Sequence, residues 1–427
     1  MAGYRLASMA LALAFTLVQL LFTATMTGES LSDYLEEMKR ENAKIAAARR
    51  KWMASLQESH IEGSLPDPKL SLKYFKREIE TRVGPQEWSV ALSQRIPGRG
   101  KLSAKASAAL SKARIHYWKY VDTLLSRKHE LFRLYAEYFY LARSIEVSKE
   151  IISLVQDLEK VALTAYKADR SSYDNVLTAQ IEVSKIRDRL ASMQDRGSSI
   201  CARIEGLLNR DRISNKDLPW PSKLPETETL PEEAVLLRAL EKNPKFLMNG
   251  AAKQRAKSSL RWANRSDRPD LTLGIQYIST DEAGNSLLPE SGKDPLILNF
   301  AVNLPLNRGK YRAMRKRAKS QLRSAEREEE QRLYDLRAAL EEALFQWRDG
   351  QRRSKLYQRH LIPSAEQALK VARREFVVDG SNFPTLVDNE RNLYEYKIAL
   401  ERAKVDSFIA QSKISTLCNL EGGQHEL

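Results

Sequence analysis

The sequence contains few of the residues that build metal sites and disulfide frameworks. It has two cysteines and five histidines among 427 residues, and the histidines lack the paired spacing of zinc ligands. Phosphate-binding loops, nucleophile elbows and dinucleotide-binding fingerprints are absent from the sequence as well. We therefore predict no metal site, no cofactor and no enzymatic activity.

Long apolar runs are also scarce. One strong run extends from Met9 to Phe22 behind Arg5. Its length of about 14 residues is short for a membrane-spanning helix but typical of a secretory signal. We predict a signal peptide over residues 1–27, with an uncleaved anchor as the alternative, and in both cases a protein that leaves the cytoplasm.

Acidic residues are too few to balance the basic ones, with 55 against 70 and a net charge of +15. Such an excess can attract nucleic acid or an anionic membrane surface. Here the basic residues are interspersed with acidic ones along helical stretches, and no known nucleic-acid-binding motif accompanies them. We predict no nucleic-acid partner, because the export signal argues against a cytoplasmic nucleic-acid-binding coiled coil.

The sequence repeats itself once. The segment Asn42-Ala43-Lys44-Ile45 recurs as Asn243-Pro244-Lys245-Phe246, and Pro97–Lys101 recurs as Pro305–Lys310. A long period that occurs only twice is not a solenoid, which needs several short units to bury a continuous core. Two similar halves must therefore pack side by side. The predicted parts are the first repeat at 28–214, a proline-rich connection at 215–231, the second repeat at 232–420 and a tail at 421–427.

The repeat also bears on the two cysteines. When the second half is laid on the first, Cys418 falls opposite Leu208, about two helical turns from Cys201. A disulfide requires close Cα atoms. The register favours two packed thiols, with a disulfide bridge between them as the alternative.

Each half is predicted to begin with a helix and a β-hairpin. The first helix is predicted at 30–60. Apolar residues then alternate with polar ones, as in strands, over four segments of the sequence: 70–75, 88–96, 271–277 and 296–304. Trp88, Tyr74, Tyr277 and Phe300 are candidates for a membrane-interface aromatic girdle.

Long helical hairpins follow the strands. The predicted helices run from about Lys101 to Lys167 and from about Lys310 to Val378, with apolar residues at heptad spacing. After each of these helices the sequence turns and forms a second helix, which ends at about Leu208 in the first half and at about Leu417 in the second. Helices of this length are stabilised mainly by partner helices.

The strands predict a membrane barrel shared between chains. Transmembrane β-strands need about 9–11 residues with alternate apolar side chains facing lipid. Four strands are too few to close a barrel, and an open sheet would leave exposed edges. Several copies of the chain must therefore contribute to one barrel.

In order and content the sequence resembles the TolC-like outer-membrane efflux factors over nearly all of its mature length. The motifs that carry the resemblance are Gln94–Lys101, Leu304–Lys310, Leu361–Ala365 and Gly380–Leu393. The resemblance implies a mainly α fold with a small β part, in which three chains form a twelve-stranded barrel in the outer membrane and a periplasmic helical tunnel. It also implies a passive exit duct of a tripartite efflux or type I secretion system. Its partners would be a periplasmic adaptor, an inner-membrane pump and outer-membrane lipid.

The resemblance further implies candidate site residues. Asp388 occupies the position of the family's second acidic residue at the periplasmic tip, and Thr385 stands where the first often lies. Other candidates for the gate are Asn175, Asp174 and Gly380; those for the strand-to-helix turns are Pro97, Gly100, Pro305 and Gly309. The sequence around Asp388 looks most like the metal-efflux branch.

An alternative from another class is an exported periplasmic coiled-coil scaffold or adaptor without a pore. The duplicated alternating strands argue against it, because adaptors pair one helical hairpin with a lipoyl-like and a barrel domain.

Overall fold

The protein is described by a computed structural model at residues 30–210, 218–225, 229–284, 289–380 and 382–420. The predicted signal peptide, the predicted tail and part of the connection 215–231 lie outside these ranges. No helix within them is both long enough and apolar enough to cross a membrane.

The chain forms two compact units, and each draws on both halves of the sequence. The sheet unit consists of Ala47–Asp122 and Glu241–Asp335, and the helical unit of Met1–Ala46, Thr123–Leu240 and Leu336–Leu427.

The sheet unit contains a four-stranded antiparallel meander whose strands follow chain order: β1 (Lys69–Ile79), β2 (Gln86–Ile96), β3 (Leu271–Thr280) and β4 (Leu296–Val302). Its central pairing joins the two repeats, since β2 runs against β3 with Ile96 opposite Leu271. Its helices are α2 (Ala43–Gly63) and α6 (Pro244–Arg265), with the first parts of α3 (Lys101–Lys167) and α7 (Arg308–Leu356).

One face of the sheet is apolar and exposed. Alternate residues supply it, and the exposed fractions of Leu72, Tyr74 and Phe300 are 74%, 80% and 74%. Other exposed members of this face are Leu70, Leu92, Ile275, Leu296, Leu298 and Val302. A face of this kind is typical of a strand set that meets lipid.

The fourth strand ends at Val302, two residues before the predicted end. At the next position of the register, the Asn303 backbone N–H still donates to the Asp270 carbonyl, but the Asp270 N–H donates to the Asn303 side chain, which takes the place of the returning ladder bond. Pro305 follows and has no N–H to donate. The strand therefore stops at a side-chain cap that hydrophobic alternation does not indicate.

The helical unit holds most of the buried apolar residues. Its elements are α1 (Leu31–Glu41), the rest of α3 and α7, α4 (Tyr173–Leu208), α5 (Glu233–Ala239), a π turn (Tyr357–Leu361), α8 (Ile362–Asp379) and α9 (Phe383–Cys418). One core cluster joins α3, α4, α8 and α9, and includes Ile151, Ala179, Leu369 and Leu386. Both cysteines are buried thiols, and the Cys418 Sγ lies 3.5 Å from the Leu236 carbonyl oxygen.

The predicted single helix at 30–60 is wrong, because Asn42 divides it. Asn42 has extended backbone angles (φ −67°, ψ 117°), and its Oδ1 accepts from the N–H groups of Lys44 and Ile45 at 3.1 and 3.2 Å. It is thus the N-cap of α2. Its counterpart in the second repeat, Asn243, caps α6 by accepting from the Lys245 N–H at 2.8 Å.

Candidate gate and strand-to-helix sites

The first helical turn of the candidate gate joins α3 to α4 in the helical unit. Asp169 takes the left-handed conformation with φ 56°, which Asp tolerates better than most residues. Ser172 caps α4 by accepting from the Asp174 N–H at 3.3 Å. Asn175 donates from Nδ2 to the Ser171 Oγ at 2.7 Å, so the two predicted gate residues of this turn lie at the start of α4.

The second turn joins α8 to α9 in the same unit. Gly380 ends α8 with φ 71°, and its N–H donates to the Phe376 carbonyl at 2.9 Å. A Cβ at Gly380 would lie 2.1 Å from the Arg170 carbonyl oxygen, so the two turns touch. Glycine is required here both by the backbone conformation and by the close approach.

Each turn is flanked by an aromatic pair at equivalent positions of the two repeats. Tyr166 and Tyr173 have ring centroids 5.2 Å apart, and Phe376 and Phe383 are 5.0 Å apart. Both phenylalanines are buried, whereas both tyrosines are nearly half exposed. The second turn is therefore tied into the core by its own side chains.

Thr385 and Asp388 are exposed on the first turns of α9. The Asp388 carboxylate accepts from Arg391 Nη1 at 3.0 Å, and Arg391 Nη2 reaches across to the Glu182 carboxylate of α4 at 2.8 Å. Arg391 thus links the predicted gate residue to a neighbouring helix. The positive charge of Arg391 offsets part of the negative charge of Asp388.

A buried carboxyl group lies next to this link. Glu390 is 1% exposed, and its Oε1 has no hydrogen-bond partner among the described residues. Together with Glu182, Lys185, Ile186, Arg189, Arg391 and Tyr394 it lines a cavity of about 170 Å³. Burial, and secondarily the charge of Glu182, raises the pKa of Glu390 to about 7 against the opposing effect of Arg391.

Glu390, Glu182 and Arg391 are functional candidates that our sequence reasoning did not select. The sequence pattern does mark one of them, because Glu390 falls on the apolar stripe formed by Leu386, Val387 and Leu393. A carboxylate at such a position is buried if the helix forms.

In the sheet unit, the strand-to-helix turns surround Asp270. This carboxylate is 5% exposed. It binds the side chain of Arg95, the Lys101 Nζ at 2.8 Å and the Gly98 N–H at 2.8 Å. Burial opposes ionisation, but these three donors outweigh it and lower the pKa of Asp270 to about 2.

The four predicted turn residues differ in their surroundings. Pro97 follows the last residue of β2, and Pro305 lies between β4 and α7. Gly100 has φ 81°, and a Cβ there would lie 2.7 Å from Arg265 Nη1. Gly309 lies in the first turn of α7, where the nearest atom to a Cβ would be the Asn307 Oδ1 at 3.5 Å. The geometry therefore requires glycine at position 100 but not at position 309.

No candidate metal cluster of three or more His, Cys, Asp or Glu side chains occurs in the described part of the chain. The arrangement described here consists of an apolar sheet face, buried ion pairs and helix-to-helix contacts.

A family model described as outer membrane efflux protein matches residues 235–418. This match agrees with the predicted resemblance over the second half of the chain and with the predicted class of function, an outer membrane efflux channel rather than an enzyme. The match covers the second repeat, which includes β3, β4 and the second turn of the candidate gate.

Solved outer membrane channels share the fold of this chain. The structure of CusC gives a TM-score of 0.79 at 14% identity, with 92% of each chain covered. VceC from Vibrio cholerae gives 0.76 at 16% identity, with 91% of this chain and 95% of that chain covered. The open state of MtrE from Neisseria gonorrhoeae gives 0.74 at 15% identity, with 91% and 89% covered.

These likenesses confirm the predicted fold class, a mainly helical chain with four strands in the TolC-like arrangement. The comparison with curated protein sequences found no match to this chain. The identities do not separate a metal-efflux branch from other branches of the family.

Proposed function

We propose that three copies of this chain form a passive exit duct across the outer membrane, through which solutes leave the periplasm for the exterior. The observation that carries this proposal is the sheet, whose exposed apolar face is continuous from β1 to β4. Such a face is costly in water and favourable against lipid.

The edges of the sheet support a shared barrel. β1 and β4 are its edge strands, and edge groups without partners are tolerated in a membrane only when the sheet closes on itself. Three copies supply twelve strands, an even number as in bacterial barrels. Pairing β1 of one copy with β4 of the next closes the ring with threefold symmetry.

Export also requires partners. The sequence has no nucleotide-binding motif that could supply energy, so we assign that step to an inner-membrane pump and the bridging step to a periplasmic adaptor. Both assignments come from the family resemblance, as does the placing of the helical unit in the periplasm. The two repeats at 28–214 and 232–420, with their connection and tail, remain our proposed division of the sequence.

The gate is assigned to the two turns of the helical unit, with Asp388, Thr385, Asn175, Asp174 and Gly380 as its residues. A ring of carboxylates at a narrow opening attracts cations. Asp388→Asn removes one charge per chain, and we expect weaker block of the closed channel by divalent cations. Unchanged block, measured in planar bilayers, would overturn the assignment of Asp388 to the gate.

Membership of the metal-efflux branch is a narrower proposal, supported by the sequence from Phe383 to Arg391. It is tested by growth of cells that lack their own exporter on raised metal concentrations.

The exit duct itself is tested by two measurements on the detergent-purified protein. Its mass should be three times the chain mass of 48.8 kDa, reduced by any removed signal. In a planar bilayer it should give discrete, long-lived conductance steps. A monomer that is silent in the bilayer would instead support the periplasmic scaffold.

A further inference from the structure

The basic excess of the chain is confined to one of its two units. The sheet unit contains 34 Lys and Arg against 19 Asp and Glu, whereas the helical unit contains 36 of each. The entire net charge of +15 therefore belongs to the unit that carries the strands. A charge segregated in this way sets the local potential over that unit.

The polar face of the sheet contributes to this charge. Register places Lys69 in a row with Ser93, Gly274 and Asn299, and Lys73 in a row with Ser89 and Ile278. Between these rows lie Ser71, Ala91, Gln276 and Ile297. Most of the neighbours are short, so the two exposed lysines stand above them, and no carboxylate belongs to these rows.

Ion pairing within the described residues leaves both lysines uncompensated. Arg95 lies on the same face and shares the single carboxylate of Asp270 with Lys101. Lys69 and Lys73 form no ion pair with any described residue. Their face is opposite to the lipid face by strand alternation, so in the proposed barrel it lines the lumen. Three copies place six such ammonium groups there.

The helix that follows β4 extends the same charge. From Arg308 to Ala325 the sequence has eight basic residues and no acidic one. Six of them recur at helical spacing on one side of α7: Arg308, Arg312, Arg315, Lys316, Lys319 and Arg323. Arg315 pairs with Asp267, and the other five have no ion-pair partner among the described residues.

Several acids of the sheet unit are already paired within it: Asp270 with Lys101, Glu58 with Lys112, Glu62 with Lys105 and Glu329 with Lys253. These pairs leave the two lysines of the sheet and the other five basic residues of the α7 row without carboxylate partners among the described residues of their own unit. The basic surface points to an anionic solute.

We infer that the sheet unit forms an anion-attracting passage, so that the cargo crossing the membrane is anionic, a carboxylate or an oxyanion rather than a free cation. This inference rests on the proposed exit duct. A ring of like charges with low-dielectric walls raises the local concentration of counter-ions. A metal that leaves as an oxyanion or an anionic complex satisfies both this inference and the metal-efflux proposal, whereas a free divalent cation does not.

The test is the reversal potential of single channels in a planar bilayer under a potassium chloride gradient. For the natural chain at about 0.1 M salt we expect chloride to be more permeant than potassium. The preference should shrink at about 1 M salt, where the Debye length falls from about 10 Å to about 3 Å. The reversal potential should keep the same sign when glutamate replaces chloride as the anion.

Substitutions test whether Lys69 and Lys73 cause the preference for chloride. Lys69→Gln with Lys73→Gln should lower the chloride-to-potassium permeability ratio by about threefold or more, while the charge-preserving Lys69→Arg with Lys73→Arg should leave it unchanged. Lys160→Glu, an exposed lysine of the helical unit that pairs with Asp157, is the matched control and should not alter the ratio.

Two failures are distinguishable. Absence of discrete conductance in the natural chain contradicts the exit duct itself. Discrete conductance that prefers potassium at low salt, or a glutamine variant with an unaltered ratio, leaves the duct standing and overturns the anionic passage.

Discussion

At the scale of single residues, the two glycines of the strand-to-helix turns give a matched comparison. Gly100 has φ 81° and lies against Arg265, whereas Gly309 lies in a helical turn where a Cβ would make only an ordinary van der Waals contact. Gly100→Ala should destabilise the protein by about 1–2 kcal/mol, the cost of a left-handed conformation for a residue with a Cβ. Gly309→Ala should be neutral or stabilising by up to about 1 kcal/mol. Both predictions are checked by the thermal unfolding midpoints of the detergent-solubilised variants. An equal decrease of the midpoint in the two variants would contradict the different roles assigned to Gly100 and Gly309.

Asp270 gives a second prediction at this scale. Because it is buried and accepts from Arg95, Lys101 and Gly98, Asp270→Asn leaves positive groups without their partner. We expect a loss of about 3–5 kcal/mol, seen as a lower thermal midpoint. The control is Asp267→Asn, whose carboxylate pairs with Arg315 at 2.9 Å on a partly exposed surface and should cost at most about 1 kcal/mol. Similar midpoints for the two variants would show that the Asp270 cluster contributes little.

Sequence reasoning reached some of these residues and not others for a physical reason. Gly100 is visible because glycine next to a strand end usually marks an unusual backbone conformation. Asp270 was not selected, because Arg95 and Lys101 lie about 170 positions away in the sequence and no local pattern marks the pairing. Contacts of that range depend on the antiparallel pairing of β2 with β3.

At the scale of secondary-structure elements, the packing of α4 against α9 contains a group that titrates near neutral pH. The pKa of Glu390 is raised from 4.5 to about 7, so this group destabilises the fold only when it is ionised. The penalty is absent below about pH 4.5, grows as the pH rises and is complete above about pH 7. Among the charged residues that line the same cavity, Arg391 reduces the penalty and Glu182 adds to it, while Lys185 and Arg189 complete the lining.

Glu390→Gln should therefore stabilise the helical unit at pH 8 by up to about 3 kcal/mol and have little effect at pH 5. The measurement is the thermal midpoint of the natural chain and of the variant as a function of pH. Glu395→Gln, an exposed carboxylate on the same helix, should not change the pH profile. Parallel profiles for the natural chain and Glu390→Gln would show that Glu390 stays neutral or is solvated.

Among the elements, periodic patterns predicted the strands and the long helices well, while breaks made by single side chains were missed. The division at Asn42 is an example, because helical spacing continues across it. The repeat contained the information, since Asn42 aligns with Asn243 and the next residue there is Pro244, which is favoured at the first helical position.

At the scale of the whole molecule, the duplication predicted the order of elements but not how the chain divides into compact units. Each half supplies one β-hairpin, and the two hairpins meet through β2 and β3. Each half also supplies long helices to the other unit. Sequence similarity marks segments of common origin, whereas compactness follows from pairing between them.

The lipid contact of the sheet leads to the last prediction. Trp88 lies on the apolar face, 38% exposed, with its ring 5.7 Å from that of Tyr277. In the proposed barrel this side chain meets the outer part of the acyl chains, where aromatic residues concentrate. Lipids brominated near the carbonyl end of the acyl chains should therefore quench part of the tryptophan fluorescence of the reconstituted protein.

Trp88→Phe should remove most of the quenchable fraction while preserving the aromatic packing. Trp52→Phe is the control, because Trp52 packs against Tyr117 and Tyr120 at 5.0 and 6.2 Å among the helices of the sheet unit and should be shielded from lipid. If Trp88→Phe retains the quenching and Trp52→Phe loses it, lipid lies against the helices and the apolar face of the sheet must be covered by protein. A twelve-stranded barrel formed by pairing β1 of one copy with β4 of the next would then be wrong.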